Sequence, residues 1–286
     1  MKEPPFSSIA IVGIGLIGGS LALAVRERWP SMRILGVDHA SVLAHAVGSG
    51  AIDRGTRSVS EIVNVDLVVL AAPVSENVEM LQEVAVTVGP ATVITDVGGT
   101  KRDIVAAAHA LPTPATFIGG HPIGGAEKGG FGFARPDLFT GRPWILTPDH
   151  DVPESAVTRL SAFVQGVGAR PVAMEPARHD RLMAFVSHLP QLTASALMEI
   201  VGSATTAEGL RLAGRGLVDT TRLASSAAPI WRDICAANAD EIGEALDLLI
   251  ARLTEMRADL PRGDAIETIF AEAGRWRAEL MKGRDG

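Results

Sequence analysis

The feature that most constrains the fold is a glycine pattern, G-x-G-x-x-G, directly after a short apolar run. Residues 9–12 have the β-branched composition of a buried strand. Gly13, Gly15 and Gly18 follow at once, and residues 20–28 have the composition of a helix. A second strand-like run ends at Asp38. This order of strand, glycine turn, helix, strand and acid predicts an α/β fold with a Rossmann-type dinucleotide-binding domain.

Each part of the pattern has a physical role in binding a dinucleotide. Gly13 permits the tight turn, Gly15 lets the backbone approach a pyrophosphate, and Gly18 lets the helix pack on the strand. The start of the helix, at Leu16 and Ile17, offers unpaired N–H groups to phosphates. Asp38 can accept hydrogen bonds from both ribose hydroxyls and would repel a 2′-phosphate. Residues 39–41 contain no arginine, so we predict NAD rather than NADP as the cofactor.

The alternation of strands and helices continues downstream. Strand-like runs occur at residues 67–72, 92–95, 115–118, 143–147 and 170–173, with a predicted helix at 154–165. In open α/β sheets, ligands bind at the C-terminal ends of the strands. We therefore expect the residues that follow two of these strands to line the cofactor site: Ala72, Pro73, Val97 and Gly98.

A histidine flanked by glycines follows the next predicted strand. His121 lies in the glycine-rich stretch 119–130, which we predict to be a loop. Histidine titrates near neutrality and can accept a proton there. The stretch alone is equally consistent with a histidine that makes a structural hydrogen bond. Because this loop and the two before it should converge on one crevice, a functional role for His121 is favoured.

The pattern changes near Pro176, where strand-like runs stop and helical periodicity begins. Apolar residues at three- and four-residue steps predict one long amphipathic helix: Ile230, Ile234, Ile242, Leu246, Leu249, Leu253 and Met256. Residues 266–280 repeat the pattern. We therefore predict two domains, a NAD-binding domain at 1–174 and an all-helical domain at 175–286. The apolar faces favour a homodimer through the helical domain, the alternative being that they pack only against each other.

Three polar side chains of the helical half are candidates for a site. His188 precedes Pro190, which should kink its helix, and a site role and a core role are equally consistent with it. His179 is interpreted as mostly structural. Arg222 suits a carboxylate ligand, although an intrahelical pair with Asp219 is the alternative.

Composition excludes several other classes of function. The net charge of −7 disfavours a nucleic-acid partner. The single cysteine, Cys235, cannot form an internal disulfide, which suits the cytoplasm. The uncharged stretch at 9–25 is short and rich in glycine, so we expect no membrane span. No metal site is expected, since paired cysteines and close His/His/carboxylate spacing are missing from the sequence.

Taken together, the chain resembles the prephenate/arogenate (cyclohexadienyl) dehydrogenases of tyrosine biosynthesis over nearly its whole length. The glycine motif is shared by many NAD enzymes, whereas the His-Pro-Ile and Ser-His-Leu-Pro motifs together are more specific. The resemblance rests on residues 12–20, 95–98 with Lys101, 120–123 with Gly125, 127–128, 179–180, 187–190, Arg222 and 231–233.

The resemblance implies NAD-dependent oxidative decarboxylation of prephenate to 4-hydroxyphenylpyruvate, or of arogenate to tyrosine. It implies that His121 accepts the proton of the ring C4 hydroxyl while hydride leaves for NAD. Arg222 matches an arginine that binds a substrate carboxylate. Further substrate-binding positions are implied at Glu127, Asp219, His188, Gln191 and Thr100.

The chain departs from the family pattern at two positions. Gly99 stands where relatives often carry a serine that helps to hold the C4 hydroxyl, and Thr100 is adjacent to it. Gln191 stands where some relatives have a second histidine. Both departures concern substrate recognition rather than the type of reaction.

Two other functions share features with this sequence. A β-hydroxyacid dehydrogenase shares the two-domain plan but relies on a lysine of the helical domain, and the sequence has none between Lys128 and Lys282. A non-enzymatic NAD-binding sensor would need no proton-accepting histidine. The sequence does not separate prephenate from arogenate, which differ by a keto or an amino group.

Overall fold

The computed structural model describes residues 3–111, 115–124 and 128–282. Within these residues, eight strands form one sheet: β1 (Ser8–Val12), β2 (Arg33–Val37), β3 (Arg54–Thr56), β4 (Leu67–Leu70), β5 (Val93–Asp96), β6 (Thr116–Pro122), β7 (Pro143–Thr147) and β8 (Arg170–Ala173). The helices between them are α1 (Leu16–Arg28), α2 (Ala40–Gly48), α3 (Val74–Thr87), α4 (Arg102–His109) and α5 (Glu154–Gly166). The predicted alternation of strands and helices is confirmed.

The order of the strands places a ligand crevice beside β1. The sheet runs β3-β2-β1-β4-β5-β6-β7-β8, and the pairs from β3 across to β5 are parallel. The strand order therefore reverses at β1, between β2 and β4. In a doubly wound sheet a ligand binds at this reversal, outside the carboxyl ends of the strands. The Rossmann-type fold predicted from the glycine pattern is confirmed.

Strand β6 changes partners midway, and this corrects the prediction of a loop from residue 119. Thr116 to Ile118 pairs in parallel with β5, whereas Gly119 to Pro122 pairs antiparallel with β7. A Cβ at Gly120 would lie 2.5 Å from the backbone oxygen of Asp96. The glycines therefore allow close packing of strands. His121 lies within the strand, because its pairing partner comes from 24 residues later (His121↔Ile145), beyond the reach of local composition.

The sheet is apolar on both faces, which explains the near-continuous apolar runs of its strands. Ile9 and Ile11 of β1 belong to one buried cluster with Phe6, Trp29 and Phe163. The alternate residues of β1 belong to a second cluster, on α3 and α4. Side chains of a strand alternate between faces, so helices cover both sides of the sheet.

After the sheet, the described residues from 176 onward form only helices and turns. The helices are α6 (Pro176–Met183), α7 (Leu189–Leu210), α8 (Arg215–Thr220), α9 (Ala228–Ala237), α10 (Ala239–Asp259) and α11 (Asp264–Lys282). A π-helical turn, Ala184–His188, joins α6 to α7, and a 3₁₀ turn follows α8 at Arg222–Ser225. Pro190 lies in the first turn of α7, where its missing N–H is tolerated. The predicted irregularity is thus a π-turn just before the proline.

The prediction of one long helix from Ile230 to Met256 is wrong. The helix is interrupted at Asn238, whose backbone has φ −133° and ψ 33°. The side chain of Asn238 is fully buried and donates a hydrogen bond to the backbone oxygen of Asp180. Because the apolar positions resume with helical spacing after the break, the periodicity alone could not reveal it.

The chain divides into two compact units, residues 1–239 and 240–286. In the second unit, Asp259 at the end of α10 accepts hydrogen bonds from the backbone N–H groups of Ala265 and Ile266 and so caps α11. The domain boundary expected at residue 174 stays a prediction. None of the helices within the described ranges is long and apolar enough to cross a lipid bilayer.

Candidate active site

The glycine fingerprint forms the turn between β1 and α1. Gly13 has φ +92°, and a Cβ there would lie 2.6 Å from the backbone oxygen of Ala71. A Cβ at Gly18 would lie 1.9 Å from the backbone oxygen of Gly13. At Gly15, by contrast, a Cβ would meet no heavy atom within 4 Å. The fold itself therefore requires Gly13 and Gly18, while Gly15 faces open space that a ligand can occupy.

Asp38 and the start of α1 flank this space. Asp38 follows β2, and its carboxylate accepts hydrogen bonds from the backbone N–H of Ile14 (2.7 Å) and of His39 (2.6 Å). Leu16 and Ile17 form the first turn of α1, which holds no acidic residue. The helix N-terminus thus keeps its partial positive charge toward the crevice. One fixed carboxylate and one helix N-terminus suit the ribose and phosphate groups of a dinucleotide.

A buried asparagine holds the loop that follows β4. Asn77 of α3 is fully buried, accepts a hydrogen bond from the N–H of Ala72 at 3.1 Å and donates one to its carbonyl at 2.9 Å. This double contact fixes Ala72 and Pro73 at the edge of the crevice. Sequence reasoning missed Asn77, although a polar residue in the first turn after Pro73 was an available signal.

Asp96 ties three segments together at the end of β5. Its Oδ2 accepts hydrogen bonds from the backbone N–H of Gly98 and from Lys101 Nζ, and its Oδ1 accepts one from the N–H of Gly120. Both partners of the ion pair are buried. Burial lowers the pKa of Lys101, and the neighbouring Asp96 acts against that shift. The pair fixes the loop of Val97 and Gly98 next to the strand that carries His121.

His121 is hydrogen-bonded to a second histidine, which is in turn bonded to a carboxylate. His121 Nδ1 lies 2.9 Å from His179 Nε2, and His179 Nδ1 lies 2.7 Å from Asp180 Oδ1. His179 and Asp180 are fully buried. Burial lowers the pKa of His121 well below its usual 6.5, and His179, Lys101 and His188 lower it further. His121 is therefore a neutral imidazole at neutral pH.

The direction of these hydrogen bonds determines which nitrogen of His121 is free. Burial acts to raise the pKa of Asp180, but hydrogen bonds from His179 and from the backbone of Arg102 and Lys101 lower it overall. The ionised carboxylate can only accept, so His179 donates from Nδ1, and the neutral form of its ring accepts at Nε2. His121 then donates from Nδ1, which leaves the lone pair on its Nε2. This nitrogen can accept a proton from a ligand.

Asp180 also caps a helix of the Rossmann-type sheet. Its Oδ1 accepts from the backbone N–H of Lys101 at 2.8 Å, and its Oδ2 accepts from that of Arg102 at 2.9 Å. These N–H groups begin α4 and have no partner within their own helix. A carboxylate at a helix N-terminus is stabilised by the helix dipole. The cap therefore positions the His179 ring against His121.

Sequence reasoning undervalued this part of the site. The sequence predicts a mostly structural role for His179, whereas the side chain contacts His121 directly. Asp180 and Asn238 received no role. The available signal was the His179-Asp180 dipeptide near the start of a helix. Such a dipeptide fits a histidine paired with a carboxylate, and it fits equally well an aspartate that only caps a helix. His121, the partner of His179, lies 58 residues away in sequence, and Arg102, a partner of Asp180, lies 78 residues away. Only the fold brings them together.

The helical side of the cleft carries His188, Gln191 and Trp231. His188 is 1% exposed, and its ring makes an edge contact with Trp231 at a centroid distance of 5.9 Å. Gln191 Nε2 donates to the backbone oxygen of Leu223 at 2.8 Å, and Ser226 Oγ donates to Gln191 Oε1. A cavity of about 390 Å³ lies beside Gln191, Ser226 and Trp231. His121 does not line this cavity. We place the chemistry at His121 because its hydrogen bonds leave a nitrogen that can accept a proton.

The remaining predicted substrate residues are placed as follows. Arg222 begins the 3₁₀ turn, Asp219 lies in α8, and both side chains are exposed. Leu223, which Gln191 contacts, is the neighbour of Arg222. Thr100 is 1% exposed, and its hydroxyl has no hydrogen-bond partner among the described residues. Glu127 lies outside the described residues.

Within the described part of the chain, one group of side chains has the spacing to hold a metal ion. Asp149, His150 and Asp151 bring ligand atoms within 4.8 Å of one another in the loop between β7 and α5. Asp149 already accepts hydrogen bonds from His150 and from His109 at the C-terminal end of α4. This end of α4 is the one away from Lys101, so the group is separate from the cleft of His121.

Comparison with protein families gives two matches that follow one another along the chain. Residues 21–173 match the family described as "Prephenate dehydrogenase, nucleotide-binding domain". Residues 175–271 match "Prephenate dehydrogenase, dimerization domain". The first match begins within α1 and covers β2 to β8, and the second covers α6 to α10 and part of α11.

Individual proteins give the same result. The prephenate dehydrogenase of Bacillus subtilis is 36% identical over 269 residues, which covers 92% of this chain and 72% of that protein. The cyclohexadienyl dehydrogenase of Zymomonas mobilis is 29% identical and covers 98% of both chains. The crystal structure of prephenate dehydrogenase from Aquifex aeolicus with hydroxyphenyl propionate and NAD+ aligns with a TM-score of 0.87 at 28% identity, covering 98% of this chain and 99% of that one.

Proposed function

The chain belongs to the prephenate dehydrogenase family, and we propose that it catalyses the NAD-dependent oxidative decarboxylation of prephenate, arogenate or both. The products are 4-hydroxyphenylpyruvate and tyrosine, respectively, with CO2 and NADH. The observation that carries this proposal is the hydrogen-bonded series His121–His179–Asp180 at the crevice edge. It leaves a neutral imidazole nitrogen free to accept a proton.

The residues of the crevice fit NAD. Open space at Gly15, the N-terminus of α1 and the fixed carboxylate of Asp38 supply the features that a pyrophosphate and an unphosphorylated ribose need. Asp38 disfavours NADP by repulsion of the 2′-phosphate. When bound, NAD takes up the hydride that leaves C4 of the substrate ring.

The proton steps belong to His121. Its Nε2 accepts the C4 hydroxyl proton as the hydride leaves, and the new positive charge is shared toward His179 and the carboxylate of Asp180. The ring carboxylate then departs as CO2, and its bonding electrons complete the aromatic ring. The C4 oxygen takes the proton back from His121, so no net proton is released. Aromatisation drives the reaction, and the protein mainly aligns the ring and moves one proton.

The helical side of the cleft is proposed to bind the carboxylates of the substrate and the keto- or amino-bearing chain on its ring. We propose Arg222 as the partner of one carboxylate, since a guanidinium binds carboxylate with two parallel hydrogen bonds. Gln191 supports this role through its hydrogen bond to Leu223, beside Arg222. His188, Asp219, Glu127 and Thr100 are proposed as further substrate contacts.

The assembly is proposed to be a homodimer that forms through the helical region at residues 175–286. The family match to a dimerization domain supports this, as do the exposed apolar side chains of α11. The free thiol of Cys235 suits a reducing compartment, and we propose the cytoplasm as the location.

The test is NADH formation by the full chain, measured at 340 nm with prephenate and with arogenate, each with NAD and NADP in parallel. We expect turnover with NAD and at least one substrate, and a far lower kcat/KM with NADP. His121→Asn should lower kcat by about 10²–10⁴-fold, the usual contribution of a general base, with the Kd for NAD unchanged. NAD binding without turnover of either substrate would support a non-enzymatic sensor instead.

A further inference from the structure

Asn238 lies at the break between α9 and α10, and its side chain is fully buried. Its Oδ1 accepts a hydrogen bond from Arg102 Nη2 at 2.9 Å, and its Nδ2 donates to the backbone oxygen of Asp180 at 2.9 Å. A guanidinium can only donate and a carbonyl can only accept. These two partners therefore fix the orientation of the amide group.

The second N–H of the same amide is directed to a histidine. Asn238 Nδ2 lies 3.3 Å from His188 Nδ1. Because Nδ2 can only donate, Nδ1 has to accept. Burial lowers the pKa of His188 to about 4, with Asp180 acting against this shift and His179 acting with it. The ring is therefore neutral at pH 7, and a neutral ring that accepts at Nδ1 carries its proton on Nε2.

The two histidines of the cleft thus have opposite tautomers. His121 donates from Nδ1 and presents a lone pair at Nε2, whereas His188 accepts at Nδ1 and presents an N–H at Nε2. Asp180 anchors both arrangements, since its carboxylate orients His179 and its backbone oxygen orients Asn238. Without the amide, His188 could present a lone pair and compete with His121 for the substrate proton.

We propose that Asn238 is a positioning residue that holds His188 as a hydrogen-bond donor for an oxygen atom of the substrate, so that His121 alone accepts a proton. The inference rests on the proposed function, because the oxygen belongs to a hydroxyl, carbonyl or carboxylate of prephenate or arogenate. Among the described residues, the charged and titratable groups around His188 include Asp180 and His179 on α6, His121 on β6 and Arg102 on α4.

The first test is the tautomer of His188 in the full chain without substrate. Protein labelled with ¹⁵N at histidine should show a protonated Nε2 and an unprotonated Nδ1 for His188 at pH 7, assigned by the signals lost in His188→Gln. The His188 signals should not titrate between pH 8 and 5. A protonated Nδ1 would overturn the proposal whether or not the enzyme turns over either substrate, so this result is independent of the proposed function.

The second test replaces the donor with an acceptor of the same shape. In Asn238→Asp the new carboxylate accepts from His188, so the proton should move to Nδ1 and the pKa of His188 should rise toward or above 6.5. We expect kcat/KM for the substrate to fall on the order of tenfold to a hundredfold, the effect of one misdirected hydrogen bond. The Kd for NAD should not change.

A matched control is Asn64→Asp, the same exchange at an exposed residue before β4, which should leave both the titration and kcat/KM as in the wild type. A wild-type titration of His188 in Asn238→Asp would overturn the tautomer argument. A changed titration with an unchanged kcat/KM would overturn the contact between His188 and the substrate. If Asn238→Asp does not fold, the wild-type tautomer still decides the role of the amide.

Discussion

At the level of single residues, the cleft depends on Asp180, a carboxylate that does not itself face the crevice. It accepts hydrogen bonds from His179 and from two backbone N–H groups of α4, and its carbonyl accepts from Asn238. The side chain of Asp180 thus holds the start of a helix and the His179 ring, and its backbone oxygen helps to orient Asn238. A buried carboxylate with this many donors stays ionised, so its partner is the donor in each hydrogen bond that the carboxylate makes.

The low pKa of His121 gives a prediction for the pH dependence of the reaction. A base whose pKa lies well below 6.5 is still unprotonated when the pH falls through 6.5. We expect kcat/KM to stay level as the pH falls from 8 through 6.5 and to decrease only at lower pH, because kcat/KM reports the free enzyme. The measurement is a profile of initial rates, with the Kd for NAD followed over the same range. A decline centred at 6.5 or above would contradict the assigned environment of His121.

Gly99 offers a second prediction at this scale. A Cβ at Gly99 would lie 3.5 Å from Ile234 Cδ1, an ordinary contact, so a side chain fits there. Gly99→Ser should keep the fold and lower the KM for the substrate by about two- to tenfold, the effect of one added hydrogen bond. Gly99→Ala is the control, since it adds the carbon without the hydroxyl. Equal KM values for the two variants would show that the hydroxyl does not reach the substrate.

Sequence reasoning identified His121 but not its partners, and the difference has a physical reason. His121 stands between glycines and a proline. These residues are needed where the backbone is stiff and packs closely against a neighbouring strand, so they form a local pattern that the sequence reveals. His179, Asp180 and Asn238 stand in ordinary helical sequence, and their roles depend on contacts with residues of β6 and α4. Such contacts are determined by the packing of the whole chain, which no local pattern records.

At the level of elements, local composition predicts seven of the eight strands of the described sheet and misses β3 and the second half of β6. The apolar runs of β1, β4 and β5 are continuous because helices cover both faces of the sheet. The second half of β6 contains two glycines and a proline, and its strand conformation comes from pairing with β7. The break between α9 and α10 falls at Asn238, whose buried amide donates to Asp180, and apolar residues with helical spacing stand on both sides of it.

The fingerprint glycines give a prediction that separates folding from binding. Gly18→Ala places a Cβ 1.9 Å from the backbone oxygen of Gly13, and we expect a loss of stability of about 1–3 kcal/mol from this overpacking. Gly15→Ala meets nothing within 4 Å, so its melting temperature should match the wild type. Its Kd for NAD should rise on the order of tenfold or more, because the methyl group occupies the space for the pyrophosphate.

Thermal melting and calorimetric titration with NAD measure the two effects. Gly48→Ala is the control, at a helix-end glycine that also has nothing within 4 Å; it should leave the Kd for NAD unchanged and should not lower the melting temperature. An unstable Gly15→Ala protein, or one that binds NAD normally, would contradict the distinct roles of the two glycines.

At the level of the whole molecule, the helical half is the part whose organisation the sequence predicts least completely. The family matches meet near residue 174, whereas the compact units meet at residue 239. The helices α6 to α9 therefore belong to the same compact unit as the sheet, which agrees with the hydrogen bonds that join His179, Asp180 and Asn238 to β6 and α4. The boundary near residue 174 marks a change in sequence pattern, whereas the boundary at residue 239 marks a change in packing, and the two need not coincide.

The second unit carries a prediction about assembly. Phe270, Trp276 and Leu280 of α11 are 66%, 61% and 54% exposed, and no residue within Asp264–Lys282 is buried. Apolar area left in water costs about 25 cal/mol per Å², so this face is expected to be covered by a second copy. Light scattering after size exclusion should give a mass of about 60 kDa, twice the 29.9 kDa of one chain.

Charges introduced on this face should separate the two copies. If the dimer stabilises the fold, the activity should fall as well. Phe270→Asp combined with Trp276→Asp should give a mass near 29.9 kDa, because an interface does not bury unpaired carboxylates without a large penalty. The control is Glu279→Ala with Lys282→Ala, which removes an exposed ion pair in the last turn of α11 and should leave the dimer intact. A dimer that survives both aspartates would place the interface elsewhere. If dimerisation stabilises the fold, wild-type stability will also rise with protein concentration by mass action, while that of the double aspartate variant will not.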